Sequence, residues 1–449
     1  MVDNLKTNFL ELETEAKDVL DKNNRGNYTC PNIRLYPYQW LWDSCFISIG
    51  LAHYDIDKAK QEILSLFEGQ WANGMMPNIL MWKHNNEGDN YNTSNERIWR
   101  SWLNPASPNE LGTSGITQPP LIAEAVVKIG EKMSPSERRD WYKQVYPKLL
   151  KYHQWIFEER DPHGEGLALL IHPWECGMDN TAPWMQELSE HSLPLWLKAL
   201  MILRIDMLLG LFRRDTQIVK GNQRITNIEA LSFFAVQRRL RRKRYNFDKI
   251  IDHSLFAIED LTFNSILIKA NKHLKEISRT IDKKLPEDLI ERMEISEKAL
   301  EHLWDDYAQE YFSRDFVSHR LLKESSIASF MPLYSGSISK EKAKIIVDNL
   351  SNTHRYKTPY PVPTSPISSD WFNPQRYWQG PTWINTNWLI IEGLKNYGFD
   401  KEANELKEKT LKLVNKSGIY EYFDPLNGTP LGSNNFSWTA ALAIDLINS

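Results

Sequence analysis

Two stretches, His172-Pro173-Trp174-Glu175-Cys176-Gly177-Met178-Asp179-Asn180 and Gly418-Ile419-Tyr420-Glu421-Tyr422-Phe423-Asp424-Pro425, set carboxylates among indole and phenol rings. Aromatic faces stack on the apolar C–H faces of a pyranose, and two carboxylates in different environments divide the acid and base work of breaking a glycosidic bond. A single Asp or Glu is more often a helix N-cap or a surface charge. Two such clusters in one chain ask for one common explanation, and sugar cleavage supplies it.

Two further segments carry the same chemistry. Tyr36-Pro37-Tyr38-Gln39-Trp40-Leu41-Trp42-Asp43-Ser44-Cys45-Phe46 places several rings and one carboxylate within a turn or two of helix. An Asp beside Trp can accept hydrogen bonds from two vicinal sugar hydroxyls and so fix a ring without reacting with it. The competing reading is an N-cap Asp below core aromatics. Tyr377-Trp378-Gln379-Gly380-Pro381-Thr382-Trp383 holds two indoles around a Gly-Pro turn, where backbone can approach a ligand closely.

Other chemistries lack their motifs. There is no Gly-x-Ser-x-Gly, Walker A loop or dinucleotide fingerprint. The turn Asp161-Pro162-His163-Gly164-Glu165-Gly166 offers too few oxygen ligands for Ca2+, and His172 has no second His at metal-ligand spacing. Neither a metal nor a cofactor is expected.

Helices must position these residues. Apolar residues recur at helical spacing over 10–20, 121–129, 195–211, 288–303, 341–350, 386–397, 401–414 and 438–447, and sustained β alternation is scarce. Long loops rich in Trp, Asn, Pro and Gly separate the helices, and such loops on a helical scaffold usually carry function. Trp141, Trp155, Trp304 and Trp388 fall within helical patterns and read as core. We expect an all-α chain forming a single catalytic domain over 1–449, with loop or cap insertions at about 80–115 and 205–275. The second insertion, basic and then rich in Ile, Leu and Phe, reads as a small helical cap, a subunit contact, or both.

Composition bounds the partners. A chain of 449 residues with 41% hydrophobic and 25% charged residues can bury a large core, and a net charge of −4 does not favour nucleic acid. The run Arg238-Arg239-Leu240-Arg241-Arg242-Lys243-Arg244 reads as a solvated helix face or subunit contact. Cys30, Cys45 and Cys176 show no CxxC spacing, which suits a reducing compartment. The N-terminus has no apolar stretch behind it and no segment reaches the ~18 apolar residues of a membrane span, so a cytoplasmic protein without membrane partners is expected, its homo-oligomeric state open.

At these residues the chain resembles glycoside hydrolase family 63, and within it the bacterial mannosylglycerate and glucosylglycerate hydrolases. The resemblance rests on Leu41-Trp42-Asp43, Thr113-Ser114-Gly115-Ile116-Thr117-Gln118-Pro119-Pro120, His172 to Asn180, Tyr377 to Trp383, Glu421 to Pro425 and Phe436-Ser437-Trp438-Thr439, in family order. It implies an (α/α)6 barrel with long active-site loops. It also implies an inverting mechanism, in which Asp179 protonates the leaving oxygen and Glu421 activates water. Tyr36, Trp40, Trp42, Asp43, Gln118, Tyr377, Trp378, Trp383 and Trp438 would line the sugar site, while Tyr91 and the Arg213-Arg214-Asp215-Thr216 segment would hold a glycerate carboxylate, Arg213 and Arg214 as its cations. Two departures stand out. Tyr91-Asn92-Thr93-Ser94-Asn95 lacks the Phe-Pro-Gly-Pro that follows the loop Tyr in those enzymes, and Gln379 takes the place of their Arg.

The leading expectation is an inverting hydrolase of a small α-glycoside, glucosylglycerate or mannosylglycerate favoured. The runners-up are an α-glucosidase or trehalase-like hydrolase of neutral disaccharides, and a carbohydrate-binding protein without catalysis. A binder needs neither an acid nor a water-activating base, and both carboxylates are present. A helical-repeat scaffold would show a solenoid period, which is absent.

Overall fold

The computed structural model describes residues 9–82, 96–191, 213–252 and 254–449. The helices, in chain order, are α1 (Leu10–Asn23), α2 (Leu41–Leu51), α3 (Ile56–Glu68), α4 (Ile122–Glu131), α5 (Pro135–Arg160), α6 (Ala182–His191), α7 (Arg214–Ile218), α8 (Asn227–Arg242), α9 (Phe247–Ile251), α10 (Leu261–Thr280), α11 (Glu287–Ala299), α12 (Met331–Ser335), α13 (Lys340–Leu350), α14 (Ile384–Asn396), α15 (Asp400–Ser417) and α16 (Ser437–Asn448). The expected helix over 195–211 lies outside the described residues.

Packing sorts these helices into two rings. Helix α2 packs on α4, α4 on α10, α10 on α12, α12 on α14, α14 on α16, and α16 returns to α2. Each inner helix also carries an outer neighbour: α1 lies on α16, α3 on α2, α5 on α4, α11 on α10 and α15 on α14, with α13 against the 3-10 turn Ile327–Phe330 that leads into α12. The closed double ring is an (α/α)6 barrel. Its inner members are buried around much of their circumference, most fully α2 and α16, as helices enclosed on several sides must be. Every residue of α2 is buried, and α16 is buried from Ser437 to Ile447. Outer helices are amphipathic: α15 buries Ala403, Leu406, Thr410, Leu411, Leu413 and Val414 along one stripe. No helix among the described residues is long and apolar enough to cross a membrane.

Local capping sets the boundaries. Helix α5 starts with a capping box, Ser134 accepting from the Glu137 N–H while Glu137 reaches back, and Pro135 opens its first turn. Helix α10 starts where Asp260 accepts from the Phe263 N–H at 2.8 Å. Helix α10 therefore begins inside the stretch expected as an insertion over about 205–275. From Leu261 onward the chain is an inner helix packed on α4, α5 and α12, and its Ile, Leu and Phe content is the mark of a helix buried all round. Helices α7 to α9 precede it in the chain.

Short strands brace the loops. β1 (Gln39–Trp40), β2 (Ile79–Met81) and β3 (Gly112–Thr113) form one antiparallel sheet with Leu80 opposite both Gln39 and Thr113. β4 (Leu169–Leu170) and β5 (Ile258–Glu259) pair with each other, β6 (Trp304–Asp305) with β7 (Glu310–Tyr311), and β8 (Arg314–Asp315) with β5. β9 (Tyr420–Phe423) and β10 (Pro430–Asn434) make a hairpin immediately before α16.

Candidate active site

One end of the barrel holds a cavity of about 480 Å3, the size of a small-molecule site. Many of the residues that line it come from the starts of inner helices or the segments before them: Tyr36 and Trp40 before α2, Trp42 and Asp43 in its first turn, Gln118 before α4, Tyr377 and Trp378 before α14, Glu421 in the β9–β10 hairpin that precedes α16 and Trp438 in the first turn of α16. A barrel of alternating antiparallel helices brings all inner N-termini to one end. Segments distant in sequence therefore meet.

Asp179 follows the 3-10 turn Pro173–Cys176, which closes on Gly177 in the left-handed region. A Cβ at Gly177 would lie 2.5 Å from the Trp42 ring, so only glycine lets the acid-bearing turn sit against that indole. Trp184 Nε1 donates to the Asp179 carbonyl at 3.1 Å, and the Tyr377 hydroxyl donates to Asp179 Oδ2 at 3.3 Å. Burial pushes the Asp179 carboxyl up to about 7; Arg224 and the Tyr377 hydroxyl oppose that rise, and the charge of Glu421 adds to it.

Glu421 is placed by the β9–β10 hairpin and is almost wholly buried. Its Oε1 accepts from the Tyr36 hydroxyl at 2.9 Å and from Arg224 Nη1 at 3.0 Å; its Oε2 accepts from the Ser433 N–H at 3.0 Å. Gly432 makes room for it, since a Cβ there would lie 2.5 Å from Oε2. The Arg224 guanidinium also lies 4.2 Å over the Tyr377 ring.

Asp43 faces the same cavity. Burial, reinforced by the charges of Glu421 and Asp179, holds its carboxyl well above the usual range. The indole N–H groups of Trp40, Trp378 and Trp438 are buried without an acceptor. Gln118 accepts from the Trp42 N–H at 3.4 Å at the cavity wall.

The expected site residues fall into three groups. Asp179, Glu421, Tyr36, Trp40, Trp42, Asp43, Gln118, Tyr377, Trp378, Trp438, Arg213 and Arg214 all line the one cavity. Trp383 does not. It stacks on the far side of Trp378, ring centroids 3.7 Å apart and planes 5° off parallel, and backs onto Tyr422, so it supports the wall without forming it. Tyr91 lies outside the described residues. Arg213 is largely committed within the protein, forking onto Asp215 at 2.5 and 3.1 Å and donating to the Ile225 carbonyl and to Asn227. Arg214 donates to the Arg34 carbonyl at 2.8 Å.

Sequence reasoning missed the roles of two contributors, Arg224 and Glu175, and gave Gln379 only as a departure from the family pattern. Arg224 sits in the cap between a 3-10 turn and α8, where nothing in the local pattern separates a buried arginine from a surface one. Glu175, within the acid-bearing stretch, is fully buried and accepts from Arg160 Nη2 at 2.7 Å, the Thr117 N–H at 3.1 Å and the Ile171 N–H at 2.7 Å, anchoring the turn before Asp179. Gln379 donates to the Asn180 carbonyl at 2.7 Å while the Trp378 N–H donates to Asn180 Oδ1, tying the acid's turn to the Trp378 wall. His172 is structural: its Nδ1 accepts from the Trp174 N–H, its Nε2 meets the Phe233 carbonyl of α8, and burial pushes its pKa down to about 3, so the ring is neutral.

Comparison with known proteins points the same way. Residues 36–439 match the mannosylglycerate hydrolase MGH1-like glycoside hydrolase domain. The chain is 37% identical over 437 residues to the mannosylglycerate hydrolase of Thermus thermophilus, covering 96% of this chain and 99% of that one. It is 29% identical over 453 residues to the glucosylglycerate hydrolase of Mycolicibacterium hassiacum, covering 97% of each. The crystal structure of the Thermus thermophilus family 63 mannosylglycerate hydrolase in complex with Tris and D-glycerate superimposes with a TM-score of 0.85 at 36% identity, over 97% of this chain and 99% of that one.

Proposed function

The chain belongs to the mannosylglycerate hydrolase MGH1-like glycoside hydrolases, and from that premise we propose that it hydrolyses a small anionic α-glycoside, mannosylglycerate or glucosylglycerate, with inversion at the anomeric carbon. Asp179 is the general acid and Glu421 the general base. The observation that carries this reading is their unequal treatment within one cavity: burial keeps Asp179 protonated up to about pH 7, while the Arg224 cation and two further donors grip Glu421.

Glu421 takes a proton from a water molecule whose oxygen attacks the anomeric carbon. The bond from that carbon to the glycerate oxygen breaks on the opposite face, and the leaving oxygen takes the proton of Asp179. The sugar ring stacks among Trp42, Trp378 and Trp438. Asp43 and the unpartnered indole N–H groups of Trp40, Trp378 and Trp438 supply an acceptor and donors for its hydroxyls.

Arg213 and Arg214 are the cations proposed for the glycerate carboxylate, with Tyr91 closing over it. We take residues 1–449 as one catalytic unit, with 213–260 as its cap. The family relatives named for glycerate glycosides, matched along their whole length, support this reading over a neutral disaccharide. A panel of mannosylglycerate, glucosylglycerate, trehalose, kojibiose and maltose, with sugar release measured and the product anomer followed by NMR, tests it. Turnover confined to the neutral disaccharides, or a product that keeps the substrate's configuration, would overturn it.

A further inference from the structure

The basic run 238–244 has no part in the chemistry described so far, yet the structure joins it to the cavity. Helix α8 lines that cavity through Ala230, Phe233, Phe234 and Gln237, successive positions on one face. Residues four apart on a helix lie one above the other. The two lining rows therefore run out of the cavity onto cations, Phe234 leading to Arg238 and Gln237 to Arg241. Arg241 is placed at the rim by its own contacts, Nη1 donating to the carbonyl of Ile98, another lining residue, at 3.0 Å. Exposed Arg97 and Arg100 flank the same strip.

Among the described residues Arg238, Arg241, Arg97 and Arg100 form no ion pair, although the chain as a whole carries a net charge of −4. An arginine at a protein surface tends to find a carboxylate, and among the described residues these four share one rim without one, Arg97 and Arg100 exposed and Arg238 and Arg241 partly so. A solvated helix face explains the exposure of the run but not why its partnerless members continue the cavity-lining rows. A cleft lined by one sign of charge with apolar walls focuses field toward its interior and raises the local concentration of an oppositely charged solute.

We propose that Arg238 and Arg241, with Arg97 and Arg100 beside them, form an electrostatic collar that draws an anionic glycoside from solution along α8 into the cavity and selects against neutral sugars of the same size. The inference rests on the anionic-substrate reading above. The collar acts on capture of the free substrate, so it enters kcat/KM and leaves kcat, and salt screens it over a Debye length of about 10 Å at 0.1 M.

The test compares the unmodified protein with Arg238→Gln/Arg241→Gln and Arg238→Glu/Arg241→Glu on a glycosylglycerate and on its uncharged glycosylglycerol counterpart, at low and high ionic strength. Gln at 241 keeps a donor for the Ile98 carbonyl, which separates charge from packing. We expect kcat/KM on the anion to fall roughly fivefold in the charge-reversed variant at low ionic strength, less in the neutral one, with the difference closing at high salt and kcat unchanged. Parallel losses on the charged and uncharged substrates, or a salt response of the anion identical in all three proteins, would overturn the collar while leaving the substrate reading intact. No turnover of the glycosylglycerate by the unmodified protein would overturn both.

Discussion

Arg224 donates from Nη1 to Oε1 of Glu421 at 3.0 Å, and its Nη2 lies 2.5 Å from the Tyr36 hydroxyl that donates to the same oxygen. The same guanidinium covers the ring of Tyr377, whose hydroxyl reaches Asp179. One cation thus touches the proposed base directly and the proposed acid through one phenol. A planar fork is needed to span Glu421 and Tyr36 together, and a lysine ammonium has no such geometry. Arg224→Lys is therefore expected to lower kcat by roughly 10²-fold with the fold intact by circular dichroism, a loss of the size that misplaced catalytic groups produce. Activity within a factor of about three of the unmodified protein would remove Arg224 from the positioning of Glu421.

Asp179→Asn and Glu421→Gln each delete one proton-transfer role and almost no volume. Each is expected to lose at least ~10²–10⁴-fold in turnover, measured as sugar release, with thermal unfolding still cooperative. Near-unchanged kcat in either variant would reassign that role.

The pH dependence follows from Asp179. A general acid works while protonated, so kcat/KM should fall as pH rises through about 7. The stability sign is the reverse of a salt-bridged carboxylate: because the folded pKa lies above the unfolded value, ionisation penalises the folded state increasingly from about pH 4 up to about 7. Asp179→Asn should therefore be more stable than the unmodified protein at pH 8, and the advantage should vanish below about pH 4. Calorimetric melting of the two proteins across that range checks it.

Arg214 lines the cavity and donates to the Arg34 carbonyl, whereas Arg213 is forked onto Asp215. Arg214→Ala should cripple hydrolysis of a glycosylglycerate while sparing any weak activity on a neutral disaccharide. Arg213→Ala should add a loss of stability, because Asp215 keeps its charge beside Arg224 without its main partner. Equal losses on both substrates for Arg214→Ala would make that residue structural.

Between α4 and α10, His273 Nε2 meets Glu124 Oε2 at 2.6 Å, and the Tyr334 hydroxyl donates to the same oxygen at 2.8 Å. Attraction to Glu124, against the cost of burial, pushes His273 up to about 9, and Glu124 is held down to about 2. The pair's stabilisation is complete below the unfolded His pKa of about 6.5 and is lost as pH rises through about 9. His273→Gln should thus cost most near pH 6, on the order of 3 kcal/mol for breaking a buried pair, and progressively less toward pH 9.5 in denaturant titrations. A cost independent of pH would mean that the histidine packs as a neutral ring.

Much of this protein is written locally. The outer helices declare themselves because an amphipathic stripe is a property of neighbours three and four apart, and α15 and α13 appear where their periodicity puts them. The aromatic and carboxylate segments are equally legible, since a sugar site needs those residue types wherever it stands. Inner helices are harder. Helix α10 is enclosed by α4, α5 and α12 along its first half, so it has no polar face to mark its period, and its composition imitates a cap. Which residue of a local pair reaches the cavity is also a tertiary matter: Trp378 and Trp383 flank one Gly-Pro turn and look alike in sequence, yet stacking puts Trp378 at the wall and Trp383 behind it. Arg224 is the clearest case. Its partners Tyr36, Tyr377 and Glu421 are far from it in the chain, and a charge acquires its role only when folding strips away water and sets those groups around it. Sequence determined which groups were present to do the chemistry; the closing of the barrel decided which of them meet and which of them burial takes out of water.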